Sequence, residues 1–387
     1  MFLSFLYPYP LRGRKAPYLW IAYKQVTDLA PHEVSFLCGE EYFTDPLEYR
    51  AQERFECLWT VNPELGFQVP TVKKLQAYCH YSLSLSHYHR LKRELISDTL
   101  VWVHLIKNIE PSLVNQIIDA IDRISASANI EAILTWCNYA SITEAARIAR
   151  IPIIHNELGP LRHPWYKPVG YFDFHGVNGN TEAASRFAAG QMDDVIPLDA
   201  NELRGIFSVN ENEQHEFNKT HEIGIPLQVE DDSNVLAYGR GFDIPLVVQY
   251  ATQVAGVKSL LLRPHPGAFL FKDSKSHEID LSPTATMFLR RCNSLLTLNS
   301  SMAVEAMLHQ IPVAILGESP ARLAAGTSLS DIRLASVKEL DFLLLNYFVP
   351  YQLIFDPAYF RWRMTLPPEH EIRSYHINYY RQMHSLT

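Results

Sequence analysis

The sequence predicts an α/β protein built from two Rossmann-like units facing each other, and three observations lead there. Short apolar runs of strand length alternate with segments whose apolar residues recur at helical spacing, first in the amino-terminal half and again from about residue 225. At 387 residues, 47% hydrophobic and 20% charged, the chain is long enough to bury two cores. Between them, Glu182 to about Gly224 is polar, with Asn-Glu-Asn-Glu at 210–213 and few apolar pairs. The expected division is residues 1–190 as the first Rossmann-like domain, 191–224 as the connection and 225–344 as the second Rossmann-like domain, with the tail from about 345 to 387 returning to the first domain.

Each element follows from its local pattern. Met1 to Tyr7 is apolar without a basic leader or a long hydrophobic region, so it reads as a first strand rather than a signal peptide. Leu113, Val114, Ile117, Ile118, Ile121 and Ile124 define a helix, and Ile130 to Trp136 a short buried strand. Ser141-x-x-Glu144 has the form of a capping box opening a helix to Arg150, and Ile151 to Ile154 is the next strand. That strand should deliver His155 to Arg162 into a loop, followed by Asp173 to Asn178, a candidate site wall because ligand crevices lie beyond the carboxyl ends of strands.

The second half repeats the pattern. A strand is expected near Ile225 to Val229, then a loop from Glu230 to Gly241, a helix from about Asp243 to Ala255 and a strand from Lys258 to Arg263 that ends in Pro264-His265-Pro266-Gly267. Asn293 to Gly317 reads as strand, turn, helix and strand, with Asn299-Ser300-Ser301 in the turn. A helix start presents unpaired N–H groups and partial positive charge, which suits a phosphate, while Ser301 as a plain N-cap stays equally open from these residues alone. The aromatic tail, including Tyr347, Phe355, Phe360 and Trp362, should pack a closing helix.

Bulk properties narrow the partners. A net charge of -8 argues against a mainly electrostatic nucleic-acid binder. Five cysteines, Cys38, Cys57, Cys79, Cys137 and Cys292, lie far apart and read as reduced, mostly buried thiols of a cytosolic protein. No run approaches the ~18 apolar residues of a membrane span, which leaves peripheral attachment open. His87-Tyr88-His89 reads as two histidines at strand spacing without a third ligand, so no metal site is expected.

Three segments should reach one edge of the second sheet: Glu230-Asp231-Asp232-Ser233, Arg263-Pro264-His265-Pro266 and Asn299-Ser300-Ser301 with Glu305 following. Together they offer a carboxylate, an imidazole beside a guanidinium, and hydroxyls at a helix start, a set suited to displacing a nucleoside monophosphate from a sugar. In this order the motifs resemble the nucleotide domain of GT-B glycosyltransferases that use CMP-activated ulosonic acids, in particular the retaining β-Kdo glycosyltransferase modules of the WbbB type, related to the KpsC-type capsule β-Kdo transferases. Glu157-x-Gly159-x-x-Arg162 with Asp173 and Gly176 is similar to the first-domain loop of that group. One departure is that Glu230-Asp231-Asp232 stands where a longer Gln-containing loop is expected.

The resemblance implies a GT-B fold with a cleft between its domains, a CMP-β-Kdo donor, retention at the anomeric carbon, and transfer to a glycan of a bacterial surface polysaccharide. It implies Asp232 as nucleophile, with Asp231 as the alternative, His265 on the phosphate or leaving group, and Glu157 as base or acceptor binder. Arg263, Asn299, Ser300, Ser301 and Glu305 would hold the CMP phosphate; Arg162, Asp231 and Ser233 would meet donor or acceptor sugar. A monophosphate leaving group calls for no cation and no cofactor. The expected setting is the cytoplasm or the cytoplasmic face of the inner membrane, alone or beside further glycosyltransferase modules. Rival readings are an inverting CMP-sialic-acid transferase, a sugar-nucleotide epimerase of similar architecture, and a non-catalytic polysaccharide-binding module.

Overall fold

The computed structural model describes residues 1–7, 18–46, 66–190, 195–209, 218–230, 232–254, 259–265 and 277–385. Asp231, Cys57, Lys258, Pro266, Gly267 and the polar stretch at 210–213 lie outside the described residues. The chain divides into two compact units: Met1–Glu157 with Asp173–Val177 and Gln352–Thr365, and Leu158–Phe172 with Asn178–Tyr351 and Leu366–Thr387.

In the first unit the elements run β1 (Phe2–Leu6), α1 (Leu19–Asp28), β2 (Val34–Cys38), β3 (His80–Ser82), α2 (Ser86–Leu95), α3 (Asp98–Lys107), α4 (Pro111–Ser125), β4 (Ala132–Thr135), α5 (Ala140–Ala149) and β5 (Ile153–Leu158). These strands pair in parallel in the order β3-β2-β1-β4-β5, the doubly wound arrangement expected of βα repeats. β1, β2 and β4 are buried along their whole length, because helices cover both faces of such a sheet. α4 matches the sequence pattern, burying Leu113, Val114, Ile117, Ile121 and Ile124, with Pro111 at its first turn. From the tail, α12 (Pro357–Met364, numbered in chain order after the helices below) packs Phe360 edge-on against Phe2 at 5.2 Å, and Arg361 pairs with Glu131 at 2.7 Å.

Three local expectations of the first unit are corrected. Ser141 is not the N-cap of α5: the helix opens two residues earlier, with Tyr139 at the N-cap position, and the Ser141 hydroxyl accepts instead from the Glu110 N–H at 2.8 Å. His155 to Leu158 continue β5 rather than entering a loop, so His155 and Asn156 are buried. His87 and His89 lie on α2, not at strand spacing, and the buried His87 Nε2 hydrogen-bonds the Tyr7 hydroxyl at 2.7 Å. Cys38 and Cys137 are buried and unbridged, while Cys79 is exposed.

The second unit contains β6 (Val169–Asp173, ending where the first unit resumes), α6 (Ala183–Ala189), α7 (Ala200–Phe207), β7 (His221–Pro226), α8 (Ser233–Tyr238), α9 (Ile244–Gln249), β8 (Leu260–Arg263), β9 (Glu278–Ile279), α10 (Ala285–Arg290), β10 (Cys292–Thr297), α11 (Met302–Leu308), β11 (Val313–Ile315) and β12 (Val349–Pro350). Its main sheet runs β11-β10-β7-β8-β9, all parallel. Counted within the unit this is again a central first strand flanked by a reversal of order, which sets a topological switch point between β7 and β10. Ile223, Ile225, Leu260, Leu262, Leu296, Ala314 and the helix residues Val247 and Val248 form its core.

The stretch expected as a connection, 191–224, belongs to this unit as far as it is described, and so do Leu158–Phe172. The reason is visible in α7. Asp199 and Glu202 make a full capping box, Leu203 and Phe207 are buried, and Arg204 donates to the Leu308 carbonyl at 2.6 Å, tying the helix to α11. The tail is divided likewise: Gln352–Thr365 join the first unit, whereas Leu366–Thr387 join the second, where Glu369 pairs with Arg186 at 2.7 Å. β7 starts four residues before the expected Ile225, and the expected 230–241 loop contains α8.

Candidate functional site at the switch point of the second unit

The switch point brings together two of the three predicted segments. β7 leads through Leu227 and Gln228 to Asp232, and β10 leads to Asn299, Ser300 and Ser301. Gln228 Nε2 donates to Asn299 Oδ1 at 2.8 Å, and Asn299 Nδ2 donates to the Asn234 carbonyl at 2.9 Å. The amide of Asn299 is therefore a brace that fixes the two turns to each other. Ser300 Oγ accepts from the Met302 N–H at 3.3 Å, whereas Ser301 makes no capping bond with its side chain and is exposed. Ser301 therefore stands at the N-cap position of α11 without a capping bond from its side chain, and the local backbone is served by its neighbour.

Asp232 caps α8, one carboxylate oxygen accepting from Asn234 N–H at 2.8 Å. The cap holds the group at a defined place at the strand end, and the negative charge suits the positive end of the helix. Ser233 is the first residue of α8, and Asp231 is outside the described residues. The third segment, from β8, places Arg263 and an exposed His265 at the neighbouring strand end. Arg263 is partly committed: its guanidinium pairs with Asp280 and donates to the Ser282 carbonyl at 2.9 Å.

Glu305 sits one turn into α11. Burial pushes its carboxyl up to about 7, although the positive fields of Arg162 and Arg263 and a hydrogen bond with Tyr166 pull the other way. Around neutral pH it is a mixture of acid and carboxylate, able to donate or accept. Arg162 is exposed and oriented by its own loop, Nε donating to the Gly159 carbonyl at 2.9 Å. Tyr166 is buried, with its hydroxyl 3.0 Å from His309 Nε2. Burial, with Arg204 and Arg290 nearby, lowers His309 to about 4, so at neutral pH it is uncharged. A Tyr166 hydroxyl that donates to Glu305 can accept from a neutral His309 N–H, which links the three groups in series.

Tyr166 and His309 were not anticipated from the sequence. His309 carried a signal, since it lies four residues after Glu305 and so shares its helix face. Tyr166 carried none, because only the fold brings the 158–172 segment to α11.

Glu157 belongs to the first unit, at the end of β5, where its charge is felt by Tyr18. In the same unit Asp173 is fully buried and accepts from the N–H groups of His175 and Gly176 at 2.7 and 2.9 Å, which makes it the organiser of that turn. Among the described residues no group of three or more His, Cys, Asp or Glu side chains is arranged to hold a metal. Among them, too, no helix is long and apolar enough to cross a membrane.

Comparison with known proteins adds one family match. Residues 4–182 match the model of the Glycosyltransferase 99 family N-terminal domain. No curated protein matches the chain. Among solved structures, the β-Kdo 2,7 transferase of Thermosulfurimonas dismutans KpsC is 17% identical with a TM-score of 0.45, covering 70% of this chain and 90% of its own. The β-Kdo 2,4 transferase of the same protein is 15% identical with a TM-score of 0.39, over 55% and 78%. UDP-GlcNAc 2-epimerase of Methanocaldococcus jannaschii is 13% identical with a TM-score of 0.32, over 89% and 93%. The family match spans somewhat less than half of the chain and makes its amino-terminal part similar to a glycosyltransferase domain; the Asp232 and Asn299–Ser301 turns of the site described above lie beyond the matched residues.

Proposed function

We propose that the protein is a retaining transferase that moves Kdo from CMP-β-Kdo to a hydroxyl of a bacterial surface glycan. The observation that carries the reading is the meeting of Asp232 with Asn299, Ser300 and Ser301 at the switch point, held by the Gln228–Asn299–Asn234 bonds. The glycosyltransferase family match and the motif order support it. In the proposed reaction an Asp232 oxygen attacks the anomeric carbon as the bond to the phosphate oxygen breaks, and CMP leaves with the electron pair. The acceptor hydroxyl then displaces Asp232 from the opposite face and gives up its proton, for which Glu157 is the proposed base. Ser300, Ser301 and the N–H groups at the start of α11 would receive the phosphate, with Arg263 and His265 from β8 and Glu305 as a proton donor. No cation is required in this scheme. The setting proposed is the cytoplasmic side of the inner membrane.

The test is incubation with CMP-Kdo generated in situ, without divalent metal, and acceptors ending in rhamnose, GlcNAc or Kdo, with NMR assignment of the product anomer. A β-linked Kdo product is expected. An inverted product, or transfer from CMP-sialic acid and none from CMP-Kdo, overturns the proposal.

A further inference from the structure

Beyond the switch point, the second unit holds a cavity of about 450 Å³. Its walls come from the 178–181 turn, Arg240 after α8, and the loop that follows β11, with Glu318, Ser319 and Arg322. The cavity is built rather than incidental. Asn178 and Asn180 both adopt left-handed backbone (φ 64° and 56°), which asparagine tolerates, and between them Gly179 lies so close to its neighbours that an added Cβ would fall 2.2 Å from the Tyr238 ring and 2.8 Å from Glu318 Oε2. Glu318 is fixed from its backbone, its N–H donating to the Tyr238 carbonyl at 2.8 Å, and Arg322 rides on a short 3₁₀ turn, Pro320–Ala324, started by Ser319.

The charges in this cavity do not balance. Two guanidiniums face one carboxylate. Arg322 is pushed below the ordinary arginine range by burial and by the like charge of Arg240, with Glu318 opposing. Its Nε is buried and has no hydrogen-bond partner among the described residues. A buried donor without an acceptor is costly, and two cations sharing a cavity add to that cost unless an anion joins them. The remaining lining, Asn178, Asn180, Thr181 and Thr327, is rich in amide and hydroxyl groups. Such a lining matches hydroxyls, and the volume falls in the usual range for small-molecule sites.

We infer that this cavity binds a small polyhydroxylated anion, a sugar acid or a sugar phosphate, whose carboxylate or phosphate lies between Arg240 and Arg322 while Glu318 and the Asn and Thr side chains take its hydroxyls. A guanidinium fork matches either oxyanion. The inference stands apart from the transfer reaction and does not require it. It is tested by calorimetric titration of the full chain with free Kdo, glucose 6-phosphate, inorganic phosphate and neutral mannose, on wild type, Arg322→Gln, Arg322→Lys and Arg240→Gln. The expected result is binding of Kdo or of glucose 6-phosphate that Arg322→Gln and Arg240→Gln each weaken at least tenfold and that Arg322→Lys partly restores; which of the two binds identifies a sugar-acid or a sugar-phosphate source. Melting curves of each variant certify folding, and Arg322→Lys carries the test if Arg322→Gln does not fold. Affinity unchanged in both arginine variants, mannose binding as well as the anions, or inorganic phosphate binding as tightly as Kdo and glucose 6-phosphate each overturns the inference.

Discussion

Two neighbouring strands of the second sheet end in opposite electrostatic situations. Beyond β10, Arg162 and Arg263 converge on one carboxylate, Glu305, that burial nevertheless holds at about 7. Beyond β11, two arginines share a cavity with the single carboxylate of Glu318, and the Arg322 Nε is unmet among the described residues. The same residue types therefore serve two ends. Where protein atoms pack around the acid, desolvation outweighs two favourable charges and makes a proton reservoir; where the walls stand apart, positive charge is left over for a ligand. The difference lies in packing, which neither turn reveals as sequence.

The largest expected effect concerns the carboxylate at the third strand end. Asp232→Asn should abolish Kdo transfer while CMP affinity and melting temperature stay near wild type, because asparagine caps a helix about as well as aspartate. Asp232→Ala should lose transfer and also about 1 kcal/mol of stability with the cap. Product formation by chromatography and thermal melting read the two separately. Full activity in Asp232→Asn would show that the charge at this strand end has no covalent role.

Next comes the proton on Glu305, which sharpens the crowded half of the comparison. Its folded value, about 7, lies above the ordinary value of 4.5, so the stability it contributes is complete below about 4.5 and is lost as pH rises through 7. Glu305→Gln removes that dependence. Denaturant melts at several pH values should show wild type losing stability relative to the variant between those limits; parallel curves would mean the carboxyl is already ionised. The open half is probed by Gly179→Ala, whose methyl must displace Tyr238 or the 178–181 wall, at a cost of about 1–3 kcal/mol in chemical denaturation.

Much of this architecture was readable in advance, and the exceptions share a cause. α4 and the β10–α11–β11 unit could be read because their apolar residues repeat at the period of the element that buries them. α8 was hidden in an expected loop, being six residues long and burying Val235 and Tyr238, too short a run to show a period, so its cap is a stronger signal. Ser141 shows the converse error: a capping pattern whose hydroxyl is taken by a distant N–H, of Glu110, that no local rule sees. Of the site, Asp232 and Ser301 were named from motif order, whereas the Tyr166–His309 pair behind Glu305 and the Arg240–Arg322 cavity depend on segments far apart in the chain.

The smallest predicted effect separates two adjacent hydroxyls and so tests whether the β10 turn is a ligand site or merely a helix start. Ser300 Oγ already serves the Met302 N–H, while the exposed Ser301 hydroxyl serves no backbone group of the helix. Ser301→Ala should then leave stability within about 0.5 kcal/mol and weaken CMP binding by roughly 1 kcal/mol, the worth of one hydrogen bond. Ser300→Ala should lower stability as well, since it removes a bond the free protein makes. Calorimetric affinities beside melting curves for the two variants decide it: if Ser301→Ala costs stability and leaves CMP affinity unchanged, the hydroxyl belongs to the fold, and the phosphate must be held elsewhere along the switch point.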